Sequence, residues 1–427
     1  MKTLLLTLLT TILSIGSIKS ADTKPNIVFI MADDLSPEYL SSYGKTGVST
    51  PNIDSIGKRG IKFKTAWATS ICGSTRTLLM NGRFADDTNM YHNNFSGFKN
   101  VDTDVNRFLT LGEVMQSSGY TTQFVGKWGV PGEIYHYDDI VLWETDERSK
   151  GMENSKLASR YWYPAISQNG VLLDTNKNDF GPDVFNEKVL NFIEDATTPY
   201  FVFYSMVAPH GMRDHDYPVV PNGKKGSLKQ NYKNLVKYID KQVGEILNAV
   251  DDNTIVIFCS DNATAREGKQ ENVERGCRVP FLICGGPIVN KGYTKQLLSF
   301  ADIMPTFADL AGYDKKIISD GISIVPFLTS SYPLTRKKMF SNIGTSRLMT
   351  DGKSRIESMD KVRKNPKGDF VRGNKHRKSK GKVYNSLRRY GTHIGGRLLS
   401  KNSREFRTSR GRQFIRFWIK LGLKENK

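Results

Sequence analysis

The sequence predicts an α/β fold, with a large, mostly parallel or mixed sheet sandwiched between helices. Three runs, Asn26 to Met31, Tyr200 to Met206 and Thr254 to Cys259, are almost continuously apolar rather than alternating, as in strands buried on both faces. Polar residues follow each run, Asp33-Asp34, His210 and Ser260-Asp261-Asn262, at the strand ends where open α/β sheets hold ligands. Between two of the runs, Leu235, Tyr238, Ile239, Val243, Ile246 and Leu247 recur at helical spacing, the core face of a crossover helix from about Leu228 to Val250.

Residues 1–20 read as a cleaved secretory signal, with Lys2, an apolar run from Leu4 to Ile15 too short to span a bilayer, and Ser20 before Ala21. An exported protein, periplasmic or extracellular and without a transmembrane anchor, is expected. After the first strand, Thr50 caps a helix that has Pro51 in its first turn. A short helix is predicted from about Thr75 to Asn81, stopped by Gly82. Cys72 then lies just before a helix N-terminus, where the dipole stabilises a thiolate; a buried structural cysteine is the plainer reading. Thr110-Leu111-Gly112-Glu113 is a capping box for a helix ending at Gly119, followed by a strand from Thr121 to Val125 and then Lys127. Residues 135–180, rich in Tyr, Trp, Asn and Asp, read as a long insertion over the active face; Tyr161-Trp162-Tyr163 and Asn169-Gly170 either line a sugar cleft or anchor a loop. A further helix is expected from Asp183 to Asp195.

At 427 residues the chain can bury a large core. Its net charge of +19 is concentrated at one end: residues 351–427 hold 24 Lys and Arg against 6 Asp and Glu, so the remainder is nearly neutral. Nucleic-acid binding by the chain as a whole is therefore not indicated, although the tail has a basic cluster at 374–380 with aromatics nearby. Four cysteines make no disulfide framework in a chain of this length; Cys277 and Cys284 are the candidates for a pair, and Cys259 reads as inert in its strand.

Several stretches together resemble the type I sulfatases of the alkaline-phosphatase-like superfamily. Cys72, Arg76, Leu79, Gly82 and Arg83 match the Cys-x-Pro-Ser-Arg signature and its helix, with Ser74 in place of the proline. Gly119-Tyr120 with Thr122, and Gly126-Lys127-Trp128, match the second signature, with Gly129 in place of its histidine. Pro209-His210, Ser260-Asp261-Asn262, Lys269 with Glu274, and Arg278-Val279-Pro280 follow in family order, so the likeness covers residues 25 to about 330. The resemblance implies a catalytic domain over 21–350. It also implies that a formylglycine-generating enzyme converts Cys72 to formylglycine, and that one Ca²⁺ is bound by Asp33, Asp34, Asp261 and Asn262 together with residue 72. Arg76, Lys127, His210 and Lys269 are the remaining implied catalytic residues. An oxygen-only set suits a hard cation better than zinc.

The expected activity is hydrolysis of a sulfate ester, on a sulfated carbohydrate. The alternatives are a catalytically impaired relative that binds sulfated glycan and a related metal-dependent phosphatase or phosphodiesterase. A two-zinc site of the latter kind calls for several histidines, and only His92, His136, His210 and His215 precede the tail. Sulfatases usually end in a small sheet-and-helix subdomain, of which the sequence offers no trace after Gly352. Residues beyond about 353 are read as an aberrant C-terminus, for instance from a shifted reading frame.

Overall fold

The computed structural model describes residues 24–44, 47–93, 102–144, 160–197, 199–212, 216–265, 267–271, 274–330, 332–334, 336–343 and 346–350, with three short strands beyond them. The amino-terminal segment and the basic cluster at 374–380 lie outside the described residues. Among these residues the strands are β1 Asn26–Ala32, β2 Ile61–Trp67, β3 Thr121–Gly126, β4 Asp139–Trp143, β5 Ile166–Gln168, β6 Val171–Leu172, β7 Tyr200–Ser205, β8 Thr254–Ser260, β9 Arg278–Val279, β10 Phe281–Cys284, β11 Gly292–Ser299, β12 Met339–Ile343, β13 Ser346–Thr350, β14 Arg355–Glu357, β15 Val362–Lys364 and β16 Phe370–Arg372. The helices are α1 Pro51–Arg59, α2 Cys72–Asn81, α3 Ala85–Thr88, α4 Leu111–Ser117, α5 Gly181–Asp195, α6 Leu228–Ala249, α7 Glu274–Cys277, α8 Ile303–Ala311 and α9 Val325–Thr329.

The main sheet runs in the order β11-β2-β10-β8-β1-β7-β3-β4-β5-β6, with β9 paired to β2. Its centre, from β8 through β4, is parallel, and antiparallel strands flank it on both sides. Side chains alternate across β1. Ile27, Phe29 and Met31 enter a core with Leu79 of α2, Val114 of α4 and Phe307 of α8, while Val28 and Ile30 enter a second core with Ile53, Val189 and Ile239 of α1, α5 and α6. Both faces are thus covered, which is why these strands read as unbroken apolar runs.

Register decides where the functional side chains come together. Gly126 pairs with Ser205, Met31 with Ser205, and Ala32 with Ser260, so the carboxyl ends of β3, β7, β1 and β8 stand level. Whatever follows those residues is brought to one edge.

The expected insertion at 135–180 is corrected in part. Its β4 extends the parallel sheet beside β3, and β5 and β6 close that side. Four of the five β4 residues are only half-buried, although Ile140 to Trp143 is a short apolar run. At the other end, β12, β13 and β14 form a small antiparallel sheet, with Met339 and Leu348 packed on Trp67 and Leu297. Just after Gly352, β14 pairs with β13 over Arg355–Glu357. The expected disulfide is also corrected: none of the four cysteines is in a disulfide. Cys277 packs beside Trp67, whereas Cys284 on β10 belongs to the core under α6, so the two occupy separate clusters.

Candidate active site

Cys72 opens α2 rather than preceding it. Ile71 is the extended capping residue, and the helix begins three residues earlier than its sequence suggests. Gly82 ends it in the left-handed conformation, at φ 65°. Every residue of α2 is buried, Cys72 included. The Gly73 N–H at its amino end donates to Asn93 Oδ1 at 2.6 Å.

The candidate residues drawn from six separate stretches converge on Cys72. Its Sγ lies 3.5 Å from Asp33 Oδ1 and 3.9 Å from Asp34 Oδ1. Asp33 Oδ2 accepts from Lys127 Nζ at 2.5 Å, and both oxygens of Asp34 accept from Lys269 Nζ at 2.6 and 2.7 Å. Asp261 Oδ2 takes two bonds from Arg76, from Nε at 3.1 Å and Nη2 at 2.9 Å. Asn262 Nδ2 donates to Asp34 Oδ1 at 2.6 Å, and His210 Nε2 sits 3.6 Å from Asp34 Oδ2. Asp33, Asp34, Cys72 and His210 each bring one possible ligand atom to within 4.8 Å of the others.

Other residues hold this arrangement, and of these the sequence did not single out Ser205 or Tyr232. Ser205 Oγ accepts from Arg76 Nη1 at 2.5 Å and donates to the Lys127 carbonyl at 2.6 Å, tying β7 to both cations. Tyr232 on α6 donates to the Asp34 carbonyl at 2.8 Å, where Asp34 adopts a left-handed φ of 70°. Tyr161 is wholly buried and donates to the His210 carbonyl at 2.7 Å, so it anchors rather than lines a cleft. Asn169 likewise serves the sheet, through Ile140 N–H and Asp139. A tyrosine in a loop carries no local mark of such a role; only the fold brings it under His210.

Electrostatics follow from burial and from the pairing of three carboxylates with three cations. Burial raises the Asp33 carboxyl, but Lys127, His210, Arg76 and Lys269 outweigh it and hold Asp33 well below the usual range. Burial raises Asp34, against the pull of Lys269. Burial and the Asp33 charge push Asp261 up to about 6. Burial lowers the His210 imidazole well below its ordinary value, with Lys269, Lys127 and Arg160 adding to the effect and Asp33 opposing it. The stabilised Cys72 thiolate expected from the sequence is corrected. Burial, with Asp261 beside it, pushes this thiol up to about 12 despite Lys127 and Lys269, because desolvation outweighs the favourable helix end.

At the two positions that depart from the expected signatures, Ser74 Oγ is buried with no hydrogen-bond partner among the described residues. Gly129 has φ 67°, and a Cβ there would lie 3.1 Å from Arg76 Cδ and 3.3 Å from Lys127 Cε. Arg76 and Lys127 therefore pack directly against the bare backbone.

The residues can hold a hard cation. Asp33 and Asp34 offer carboxylate oxygens beside Cys72 and His210, Asp261 Oδ1 accepts the Asp34 N–H at 3.1 Å, and Asn262 Oδ1 is buried without a hydrogen-bond partner among the described residues, as a ligand awaiting a cation would be.

Comparison with known proteins agrees with this geometry. The chain is 27% identical over 326 residues to an ulvan-active sulfatase of Formosa agariphila, an alignment covering 71% of this chain and 58% of that one. It is 25% identical to an arylsulfatase of Hemicentrotus pulcherrimus, over 70% of this chain and 61% of the other, so it spans about three fifths of either relative. An N-acetylglucosamine-6-O-sulfatase of Bacteroides thetaiotaomicron is also 25% identical, with 73% and 72% covered. The fold is shared with Ps i-CgsB, solved in complex with k-i-k-neocarrahexaose, at TM-score 0.65, 21% identity and coverage of 93% and 99%. It is shared too with the phosphonate monoester hydrolase of Agrobacterium radiobacter, at TM-score 0.62, 16% identity and coverage of 93% and 95%. A family model described as Sulfatase matches residues 25–313, more than half of the chain, and this protein belongs to the sulfatase family.

Proposed function

We propose that this chain hydrolyses sulfate esters of a carbohydrate, using residue 72 as the nucleophile position and one Ca²⁺ held by Asp33, Asp34, Asp261 and Asn262. The observation that carries the reading is the meeting of Cys72 with Asp33 and Asp34 inside a ring of Arg76, Lys127 and Lys269. Three carboxylates against three cations leave the site close to neutral, and a divalent cation would make it a receptor for an anionic ester. Bound Ca²⁺ would neutralise charge on the non-bridging sulfate oxygens. A formylglycine at 72 would supply, as its hydrate, a hydroxyl to attack sulfur and a second to drive release of sulfate by elimination. The generating enzyme and export directed by residues 1–20 belong to the same proposal, as does a catalytic domain spanning 21–350.

The chain's own residues do the rest. Lys127 and Lys269, already bonded to Asp33 and Asp34, are placed to transfer hydrogen bonds to the ester oxygens. Arg76 binds Asp261, Ser205 and the Lys127 carbonyl, and so fixes one metal ligand and the lysine backbone at once. His210 is the proton donor to the leaving oxygen. Its Nδ1 is 2.6 Å from the Gly211 carbonyl, a contact that keeps the proton on Nδ1 in the neutral ring, so Nε2 can donate only when the imidazole is charged. Because burial lowers its pKa, the acid form is lost as pH rises through a value below 6.5. Turnover of sugar sulfates should therefore fall with rising pH along that limb, while activated aryl sulfates follow it weakly. His210→Gln should slow sugar sulfates by about 10²–10⁴-fold and 4-nitrophenyl sulfate far less. Sulfate release measured on both substrates checks this, and equal losses would remove His210 from the role.

A second reading, glycan binding without turnover, is favoured by Gly129, which offers no side chain beside Arg76 and Lys127. Sulfated glycan bound by the mature protein without sulfate release would support it.

The relatives named ulvan-active sulfatase and N-acetylglucosamine-6-O-sulfatase point to a sulfated saccharide as the substrate class here. A phosphatase with two metals is less well supported, since the described residues bring together one group of possible ligands, holding one histidine.

A further inference from the structure

Beside this site stands a cation that the chemistry above does not use. Trp143 ends β4, and since Leu142 pairs with Gly126, it lies at the same sheet edge as Lys127. The Arg160 guanidinium sits 3.9 Å from the centre of the Trp143 ring. Such stacking covers a face of the guanidinium but leaves its in-plane N–H donors to be met elsewhere. They are not all met: among the described residues, the buried Arg160 Nη1 has no hydrogen-bond partner and no carboxylate pairs with this side chain.

The backbone at Arg160 is held against the active site. The next residue, Tyr161, donates to the His210 carbonyl, and its own carbonyl accepts the Gly181 N–H at 2.7 Å. The Arg160 charge is close enough to help keep the His210 imidazole neutral. Stacking on one face, an unmet donor in the plane and a fixed backbone together describe a fork prepared for a planar or tetrahedral oxyanion.

We propose that Arg160, stacked on Trp143, binds a second oxyanion of the substrate, a carboxylate or a further sulfate, next to the ester that is hydrolysed. The substrate is then a polyanionic saccharide rather than one with a single sulfate. This rests on the reading of the site as one for sulfated carbohydrate.

The test compares 4-nitrophenyl sulfate, which has one anionic group, with the oligosaccharide turned over fastest among those from ulvan, carrageenan and chondroitin sulfate. Arg160→Gln is expected to raise KM for the oligosaccharide about tenfold to a hundredfold more than for the aryl sulfate, with oligosaccharide kcat changed by no more than about twofold. Arg160→Lys, which keeps a point charge and loses the fork, should recover part of the loss. If the oligosaccharide carries a uronate, reducing its carboxyl group separates the sources: a defect that vanishes identifies a carboxylate, and one that persists identifies a further sulfate. Equal KM changes on the two substrates, or a loss confined to kcat, would overturn the proposal. Should the wild-type protein release sulfate from none of these compounds, the hydrolase reading fails separately. Calorimetry with tetrasaccharides of doubly sulfated carrageenan then decides the role of Arg160: weaker binding by Arg160→Gln supports it, and equal affinity, or none in the wild type, overturns it.

Discussion

Cys72→Ser is expected to turn over at most once. Residue 72 opens α2 with its side chain facing Asp33 and Asp34, so a serine hydroxyl would occupy the place from which sulfur is attacked. In that step the serine oxygen bonds to sulfur, the ester oxygen leaves as the alcohol, and the serine proton is carried away by the site. A serine sulfate has no second hydroxyl on its β-carbon, so it could not eliminate sulfate as the proposed formylglycine hydrate would. Steady-state sulfate release should fall by at least about 10⁴-fold, as when other enzymes lose an essential nucleophile. The residue 72 peptide should meanwhile gain the mass of one sulfo group after exposure to substrate. Undiminished turnover by this variant would remove residue 72 from the chemistry.

Arg76→Met should cost about 3–5 kcal/mol of folding stability, because it leaves a buried carboxylate without its partner. Arg76 and Asp261 are 1% and 0% exposed, so Asp261 loses two bonds in a place remote from solvent. The sign of the pH dependence follows from Asp261. Its carboxyl is already held above its ordinary value, at about 6, so the folded state binds the extra proton and stability falls as pH rises through that window. Without Arg76 the carboxyl moves higher still and the window widens upward. The variant's deficit, measured by urea unfolding in chelator, should thus be larger at pH 8 than at pH 5. A deficit under about 1 kcal/mol would place Arg76 among pairs of little net worth, and a larger deficit at pH 5 would contradict the assigned coupling.

The parts of this protein that could be read from sequence are those in which local chemistry and burial coincide. β1, β7 and β8 are buried on both faces, so their runs are unbroken, and Asp33, Asp34, Asp261 and Asn262 stand out as polar residues directly after them. Lys127, Lys269 and His210 gain meaning only from the order of the motifs around them. Half-buried β4 is hard to read because its apolar run, Ile140 to Trp143, is short and set among polar and charged residues, and β12 with β13 because their runs are short; Gly344-Thr345 between them is the available hairpin signal. Ser205, Tyr161 and Tyr232 act across the fold, on residues 49 to 198 positions away, and no local pattern records that. The Cys72 thiol shows the limit most clearly, since its position at a helix end was legible but the burial that outweighs it was not.

Peptide mass spectrometry at residue 72, on protein made in cells that contain a formylglycine-generating enzyme, tests the account most directly. Burial pushes the Cys72 thiol up to about 12, which favours the protonated and poorly nucleophilic form, so the proposed chemistry calls for residue 72 to be changed. The predicted result is an aldehyde in place of the thiol. An intact thiol on protein that nevertheless releases sulfate would contradict the account, and an intact thiol on protein that binds sulfated glycan and releases none would establish the binding reading instead.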